Sequence, residues 1–440
     1  MNKALIILLP IFLSSATQIQ RDTLENGLVV LTVEAHRIPV VEVRAYVEAG
    51  SVLDPAGKEG LANLTGQSLI RGTEQYSYSE LVETIESVGG ELTPFVTEDY
   101  AGLSGKVLSK DLARLIDILE SCLQHPEFDS LELFRLRRET ISLINARSDN
   151  PFEVSEKGFR SLLFGEHPLG HFPEGIESSV ASITASEARG FYDAYYHPNN
   201  TFLIFVGDFD KDSLLATLNS SFGAWKRGEI PKPHFTEPDP IEHPKAQVIP
   251  MDISQAYILL GDFGPRYGET DWNATRVMNY ILGGAGLTSR ISGTIREEKG
   301  LAYIAYSSFR RFVDGGYFAA EVQTKKEMVN EAVAGLIQEL EKVRDTIYVE
   351  ELTRAKKFYT GYLPLSYDTY SELANIIARI EIENLGLDYL SRFEDYILGL
   401  TVDDLQTAAR KYLHPDRFYL LIVGDISPDD IATDGIEWVE

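Results

Sequence analysis

The chain has 440 residues, 44% of them hydrophobic, and carries 40 Lys and Arg against 67 Asp and Glu, a net charge of −27. That length can bury two or three sizeable cores, whereas the acidic balance excludes a general nucleic-acid binder and adhesion to anionic lipid. The single cysteine, Cys122, has no internal disulfide partner, and its place in the amphipathic run 112–123 reads as a buried apolar filler with no redox role.

The N-terminus reads as a targeting segment. Lys3 gives a short basic region, 4–13 is an apolar run too short to span a bilayer comfortably, and Ser14-Ser15-Ala16 offers small residues for cleavage after Ala16. The expectation is a signal peptide over 1–16 and export, to the periplasm where the source has two membranes, with a retained anchor if cleavage fails. No stable membrane insertion is expected after cleavage.

Next, 27–34 and 40–48 read as strands, 58–70 and 78–88 as helices, and 91–107 as a strand pair. Helical periodicity follows at 109–123, 131–147 and 185–196. Pro231, Pro233, Pro238, Pro240 and Pro244 lie among charges and mark 226–245 as a semi-extended linker. Beyond it, strands are expected near 256–261, 302–310 and 316–323, and helices near 271–282, 328–344, 349–362 and 402–412.

The run Tyr196-His197-Pro198-Asn199-Asn200-Thr201, continuing through Val206-Gly207-Asp208, recurs from Leu413-His414-Pro415 to Val423-Gly424-Asp425 at a constant offset of 217 residues. In both copies a helix must end before His-Pro and a buried strand closes on Gly-Asp. The expected architecture is therefore α+β, with two homologous domains at 17–225 and 246–440 forming a clamshell, each a mixed or antiparallel sheet packed with helices.

The segment Gly60-Leu61-Ala62-Asn63-Leu64-Thr65-Gly66-Gln67-Ser68-Leu69, followed by Arg71-Gly72-Thr73, resembles the Gly-Leu-Ala-His-x-x-Glu-His motif of the inverzincins, the family of pitrilysin, insulin-degrading enzyme and the mitochondrial processing peptidase. In that family two histidines at i and i+4 bind zinc and the glutamate between them activates water. By this resemblance the histidine positions fall on Asn63 and Gln67 and the glutamate on Gly66. Counting back from Arg147-Ser148-Asp149-Asn150-Pro151 places the family's third ligand on Leu143. A carboxamide is a weak neutral ligand and glycine is no base, so the resemblance implies a degenerate site with no metal bound by this chain. The family's edge strand for substrate is also altered, since Pro94 removes one amide donor there.

In the second half, Gly283-Gly284-Ala285-Gly286-Leu287-Thr288-Ser289-Arg290 and Ile295-Arg296-Glu297-Glu298-Lys299-Gly300-Leu301-Ala302-Tyr303 resemble the family's Gly-Gly-x-x-Ser-Arg-Leu and Leu-Arg-Glu-x-x-Gly-Leu-Ala-Tyr block. The resemblance implies that Arg296 and Tyr303 bind the substrate backbone and stabilise the tetrahedral intermediate. A guanidinium fork grips a carbonyl and a phenol donates to an oxyanion, so the chemistry suits them. The bland alternative is Arg296 paired with surface carboxylates and Tyr303 opening a strand. His167 and His171 share i, i+4 spacing, but Pro168 and two glycines break any common ligand face, and a turn is expected. Gly283–Gly286 lacks the Gly-Lys-Ser/Thr of a phosphate loop, and Gly-x-Ser-x-Gly occurs nowhere.

Two functional readings follow. One is the non-catalytic subunit of a heterodimeric zinc peptidase, pairing with a homologous chain that carries the zinc motif and supplying Arg296 and Tyr303 to its peptide substrate. The other is an inactive scaffold or peptide-binding protein similar to the core subunits of respiratory complexes.

Overall fold

The computed structural model describes residues 18–236, 238, 240–432 and 435–439; the expected signal peptide over 1–16 lies outside the described residues. In chain order the first half runs β1 (Gln20–Thr23), β2 (Val29–Glu34), β3 (Val40–Val47), α1 (Leu61–Ser68), α2 (Tyr78–Glu86), β4 (Glu91–Val96), β5 (Ala101–Leu108), α3 (Leu112–Gln124), α4 (Ser130–Ser148), α5 (Pro151–Phe164), α6 (Glu177–Ser182), α7 (Ala185–Tyr195), β6 (Thr201–Gly207) and α8 (Lys211–Phe222). The second half runs β7 (Lys245–Pro250), β8 (Gln255–Phe263), α9 (Trp272–Asn279), β9 (Ala302–Arg311), β10 (Gly316–Lys325), α10 (Val329–Asp345), α11 (Val349–Tyr362), α12 (Tyr370–Ile382), α13 (Tyr389–Gly399), α14 (Val402–Tyr412), β11 (Tyr419–Gly424) and β12 (Glu437–Trp438).

The strands form two six-stranded sheets, β1-β2-β6-β3-β5-β4 and β12-β7-β11-β8-β10-β9. The inner five strands of each correspond one to one. β2 and β6 are parallel, as are β7 and β11, and the neighbours beyond them are antiparallel in both sheets. The halves part at one rim: β1 runs antiparallel to β2, whereas β12 runs parallel to β7. The fold is thus the expected duplicated α+β architecture.

Capping chemistry fixes the repeated helices. Thr184 with Glu187 opens α7 and Thr401 with Asp404 opens α14, each a reciprocal capping box. Both helices stop before His-Pro, and β6 and β11 follow, buried along their whole length. Such a strand needs cover on both faces. On β6, Leu203 and Phe205 meet the helices of their own half, while Phe202, Ile204 and Val206 join a core that contains Tyr370, Leu373 and Ile377 of α12. On β11, Leu420 and Ile422 face their own helices, and Tyr419, Leu421 and Val423 meet Phe159 and Leu163 of α5.

Each half therefore lends one helix to the other half's sheet. Gly158 lets α5 lie close, since a Cβ there would stand 2.6 Å from the Ile249 side chain and 2.9 Å from that of Leu421. Burying one side chain of the size of Phe159 contributes about 1.5–3 kcal/mol. The two hairpin tips also touch: the Val313 amide donates to Asp99 Oδ1 at 3.0 Å. The clamshell is locked by exchanged helices as well as joined by a linker.

Helices α5, α6, α8, α12 and α13 and strands β1, β7 and β12 escape the sequence reading. In α12, Leu373, Ala374, Ile377, Ala378 and Ile380 are all buried, which blurs a one-faced helical period. The helix expected over 271–282 is α9 followed by a π-helical turn at Tyr280–Gly284. There Gly283 sits against β9, with Ser307 only 2.3 Å from where a Cβ would be, and the close approach rewinds the helix end. The described residues of 226–244 hold no helix or strand, yet Ile241 is buried and Phe235 packs on the α5 core. No helix among the described residues is long and apolar enough to cross a membrane.

Candidate functional site

Helix α1 is set by its N-terminus. Gly60 takes a left-handed φ of 98°, and the Asp54 carboxylate accepts the Gly60 and Ala62 amides at 2.7 Å each. Burial pushes Asp54 up to about 8 against the opposing pull of those two amides. Asn63 is 7% exposed and Gln67 half-buried. The helix packs on β4 at the rim of the first sheet and on α4.

Gly66 faces β4. A Cβ at this position would lie 2.6 Å from Val96 Cγ2 and 3.4 Å from Ala101 Cβ. A larger side chain has no room unless Val96 shifts, so the glycine is a packing residue. Leu143 lies on α4 at 45% exposure, while Thr140 and Ile144 on the same helix turn inward. Two carboxamides, a glycine and an aliphatic side chain do not fit a zinc ion, which takes thiolate, imidazole or carboxylate ligands. Among the described residues no group of three or more His, Cys, Asp or Glu converges to hold a metal.

The second candidate constellation is built differently. From Ser292 to Glu298 the chain forms a π-helical segment, and Gly300 turns it with a left-handed φ of 62°. Ile295 and Leu301 anchor the two ends in the core, the Leu301 amide donates to the Ile295 carbonyl at 2.9 Å, and Thr324 holds the Leu301 carbonyl at 2.6 Å. This closed turn brings Arg296 and Tyr303 together, with the guanidinium carbon 4.6 Å from the centroid of the Tyr303 ring.

Tyr303 is 75% exposed and opens β9, the outermost strand of its sheet. Arg296 also faces Glu297 at 3.4 Å, an exposed pairing of the kind worth about 0–1 kcal/mol. Its guanidinium is therefore available to an incoming carbonyl or carboxylate, beside a phenol that can donate. Arg290, in contrast, is taken up by Glu351 at 2.8 and 2.6 Å and is structural.

Pro94 lies on β4 opposite Leu103, the rim position where proline is tolerated. His167 and His171 flank a 3₁₀ turn whose carbonyls, Leu169 and His171, accept from buried Arg160 at 2.8–3.0 Å. Cys122 is buried in α3, which pushes its thiol up to about 12. Sequence reasoning missed Asp54, six residues ahead of the glycine that starts α1, and the half-buried Arg276 of α9.

The pattern described for peptidase M16 inactive domains matches residues 182–359, and that of the insulinase family, also M16, matches residues 29–171. A zinc protease of Mycobacterium leprae, itself uncharacterised, is 30% identical over 301 residues, covering 67% of each chain. The chain belongs to the M16 peptidase family. Another relative of this M16 chain, the uncharacterised zinc protease YmxG of Bacillus subtilis, is 25% identical across 87% of this chain and 98% of its own.

Among solved structures, an M16 inactive-domain protein of Pseudomonas fluorescens superimposes with a TM-score of 0.85 at 24% identity, covering 96% of this chain and 100% of the other. A Helicobacter pylori protease gives a TM-score of 0.85 at 21% identity over 93% and 99%. At these identities the likeness establishes the shared fold. The chain carries a peptidase-like M16 scaffold from end to end of its two sheets.

Proposed function

We propose that this M16 chain is the non-catalytic subunit of a heterodimeric zinc metallopeptidase, binding no zinc itself and presenting Arg296 and Tyr303 to a peptide held at the zinc site of a homologous partner. The observation that carries this reading is the contrast between the two sites. The helix that would hold a metal presents Asn63, Gly66 and Gln67 and lies shut on β4, whereas Arg296 and Tyr303 stand side by side at an exposed sheet edge.

In this reading Arg296 grips a substrate carbonyl through its fork of donors, and the Tyr303 hydroxyl donates to the oxygen on which charge develops. Substrates are peptides. Export as a soluble periplasmic subunit, after cleavage behind Ala16, completes the proposal, and N-terminal sequencing of the secreted chain checks it.

The functional test mixes the purified chain with its zinc-motif homologue and follows peptide hydrolysis and bound zinc. The reading expects negligible hydrolysis by either chain alone and no stoichiometric zinc on this one. A partner as active alone as in the mixture leaves instead an inactive scaffold.

A further inference from the structure

The second half holds a cavity of about 430 Å³ bounded by α9, β9, α11, α12 and α13. It is lined by Trp272, Phe309, Tyr359 and Tyr389 together with two arginines, Arg276 and Arg379. Its place is telling. α9, β9 and α11 occupy the same positions in the element order as α1, β4 and α4 do in the first half, where the degenerate zinc-motif residues lie.

The charges on its walls do not balance. The Arg276 guanidinium lies between the rings of Tyr359 and Phe393, 4.6 and 4.5 Å from their centroids. Its only side-chain hydrogen bond among the described residues is to the Tyr389 hydroxyl at 3.5 Å, and its buried Nε has no acceptor. The indole Nε1 of Trp272 is likewise buried without an acceptor. Arg379 faces Glu383 at 3.3 Å, but Glu383 is already held by both terminal nitrogens of Arg311 at 2.7 and 3.0 Å. One carboxylate thus serves two arginines, and Arg276 has none.

A half-buried cation whose Nε is shut from solvent without a counter-charge is costly, and unmatched donors on a cavity wall call for acceptor atoms. The direction of titration agrees, since burial and the neighbouring Arg379 both lower the Arg276 pKa. The aromatic walls in turn favour a flat or apolar body, and the volume falls in the range of about 300–1,000 Å³ that takes small organic ligands.

We propose that this cavity binds an organic carboxylate, its anionic group held by Arg276, Arg379 and the Trp272 indole and its apolar body by the surrounding rings. The carboxylate is either that of a free small acid or the C-terminus of a peptide ending in an apolar residue. This site is separate from Arg296 and Tyr303, and its test does not depend on peptide hydrolysis.

The experiment titrates the full chain with 3-phenylpropionate and with its neutral amide, and with Ala-Ala-Phe as free acid and as C-terminal amide, by calorimetry and tryptophan fluorescence. The acids are expected to bind at least about tenfold more tightly than the matching amides, as a charge-assisted hydrogen bond requires. Arg276→Gln and Arg379→Gln should each remove most of that preference, with Arg276→Lys keeping part of it. Tighter binding of the peptide acid assigns the site to peptide C-termini, and tighter binding of phenylpropionate to small acids; either supports the proposal. The acid-against-amide comparison uses the unaltered chain, so it stands even if Arg276→Gln fails to fold. Acids and amides binding alike, no acid binding at concentrations up to about 10 mM, or a preference unchanged in Arg379→Gln and in folded Arg276→Gln would overturn it.

Discussion

The two halves share one scaffold and differ at the same station on it. In each, the helix after β3 or β8 lies against an outer strand, and a glycine in it or at its end makes the contact: Gly66 against Val96 in the first half, Gly283 against Ser307 in the second. In the first half that helix is buried, continuous and sealed at its start by Asp54. In the second it gives way to π-helical turns, the later of which carries Arg296 beside Tyr303, while α9 itself borders a cavity with an uncompensated arginine. The close glycine contact is common to both halves, while the arginine–tyrosine pair stands in the second. A duplicated fold can thus hold its architecture while its two halves take different chemical roles.

The ion pairs beside the two hairpin tips offer the strongest contrast. Arg311 and Glu383 are both nearly inaccessible, so Glu383→Gln should lower stability by about 3–5 kcal/mol in chemical denaturation, the usual cost of stranding a buried charge. In the first half Arg160 pairs with the more exposed Glu98 at 2.6 Å and keeps the Leu169 and His171 carbonyls. Glu98→Gln should cost only about 1–2 kcal/mol. Equal losses would show that the two pairs are not the asymmetric devices described.

Asp99 links the halves through the Val313 amide, and burial, with Glu98, Asp314 and Glu48 nearby, raises its carboxyl to about 7. The folded state then holds a proton that the unfolded chain releases near 3.8. Stability should therefore fall as pH rises from about 4 toward 7, the direction required when the folded state binds more protons. Asp99→Asn, read by thermal unfolding across that window, should flatten the fall; an unchanged slope would remove Asp99 as the cause. On a comparable scale, Gly66→Ala forces a Cβ against Val96 and should cost about 1–3 kcal/mol, relieved by Val96→Ala. Gly293, with open space around its Cβ position, should tolerate alanine with little change.

The repeat and most of the sheet strands were legible because they rest on local rules: His-Pro ends a helix and an apolar run marks a buried strand, whereas the Arg296–Tyr303 block was legible through its resemblance to the family's Leu-Arg-Glu-x-x-Gly-Leu-Ala-Tyr sequence. The exchanged helices were not. Residues of α5 and α12 are buried by strands of the opposite half, so their pattern answers to neighbours far away in the chain. The π-helical turns were hidden for a related reason, since the contact with β9 overrides the helical propensity of 280–284. At α1, the resemblance implies which positions are altered, but only packing against Val96 reveals that the space beside Gly66 is filled. Arg276 left no sequence signal, because an arginine in an amphipathic run ordinarily reaches solvent.

The central claim is that this chain lends side chains to a site it does not hold. The most direct measurement is kcat/KM for peptide hydrolysis by the reconstituted pair, with Arg296→Ala and Tyr303→Phe placed in this chain alone. The account predicts losses of about 10²–10³-fold for each, the scale of removing one transition-state donor, with assembly unchanged. Full activity in both variants would contradict it.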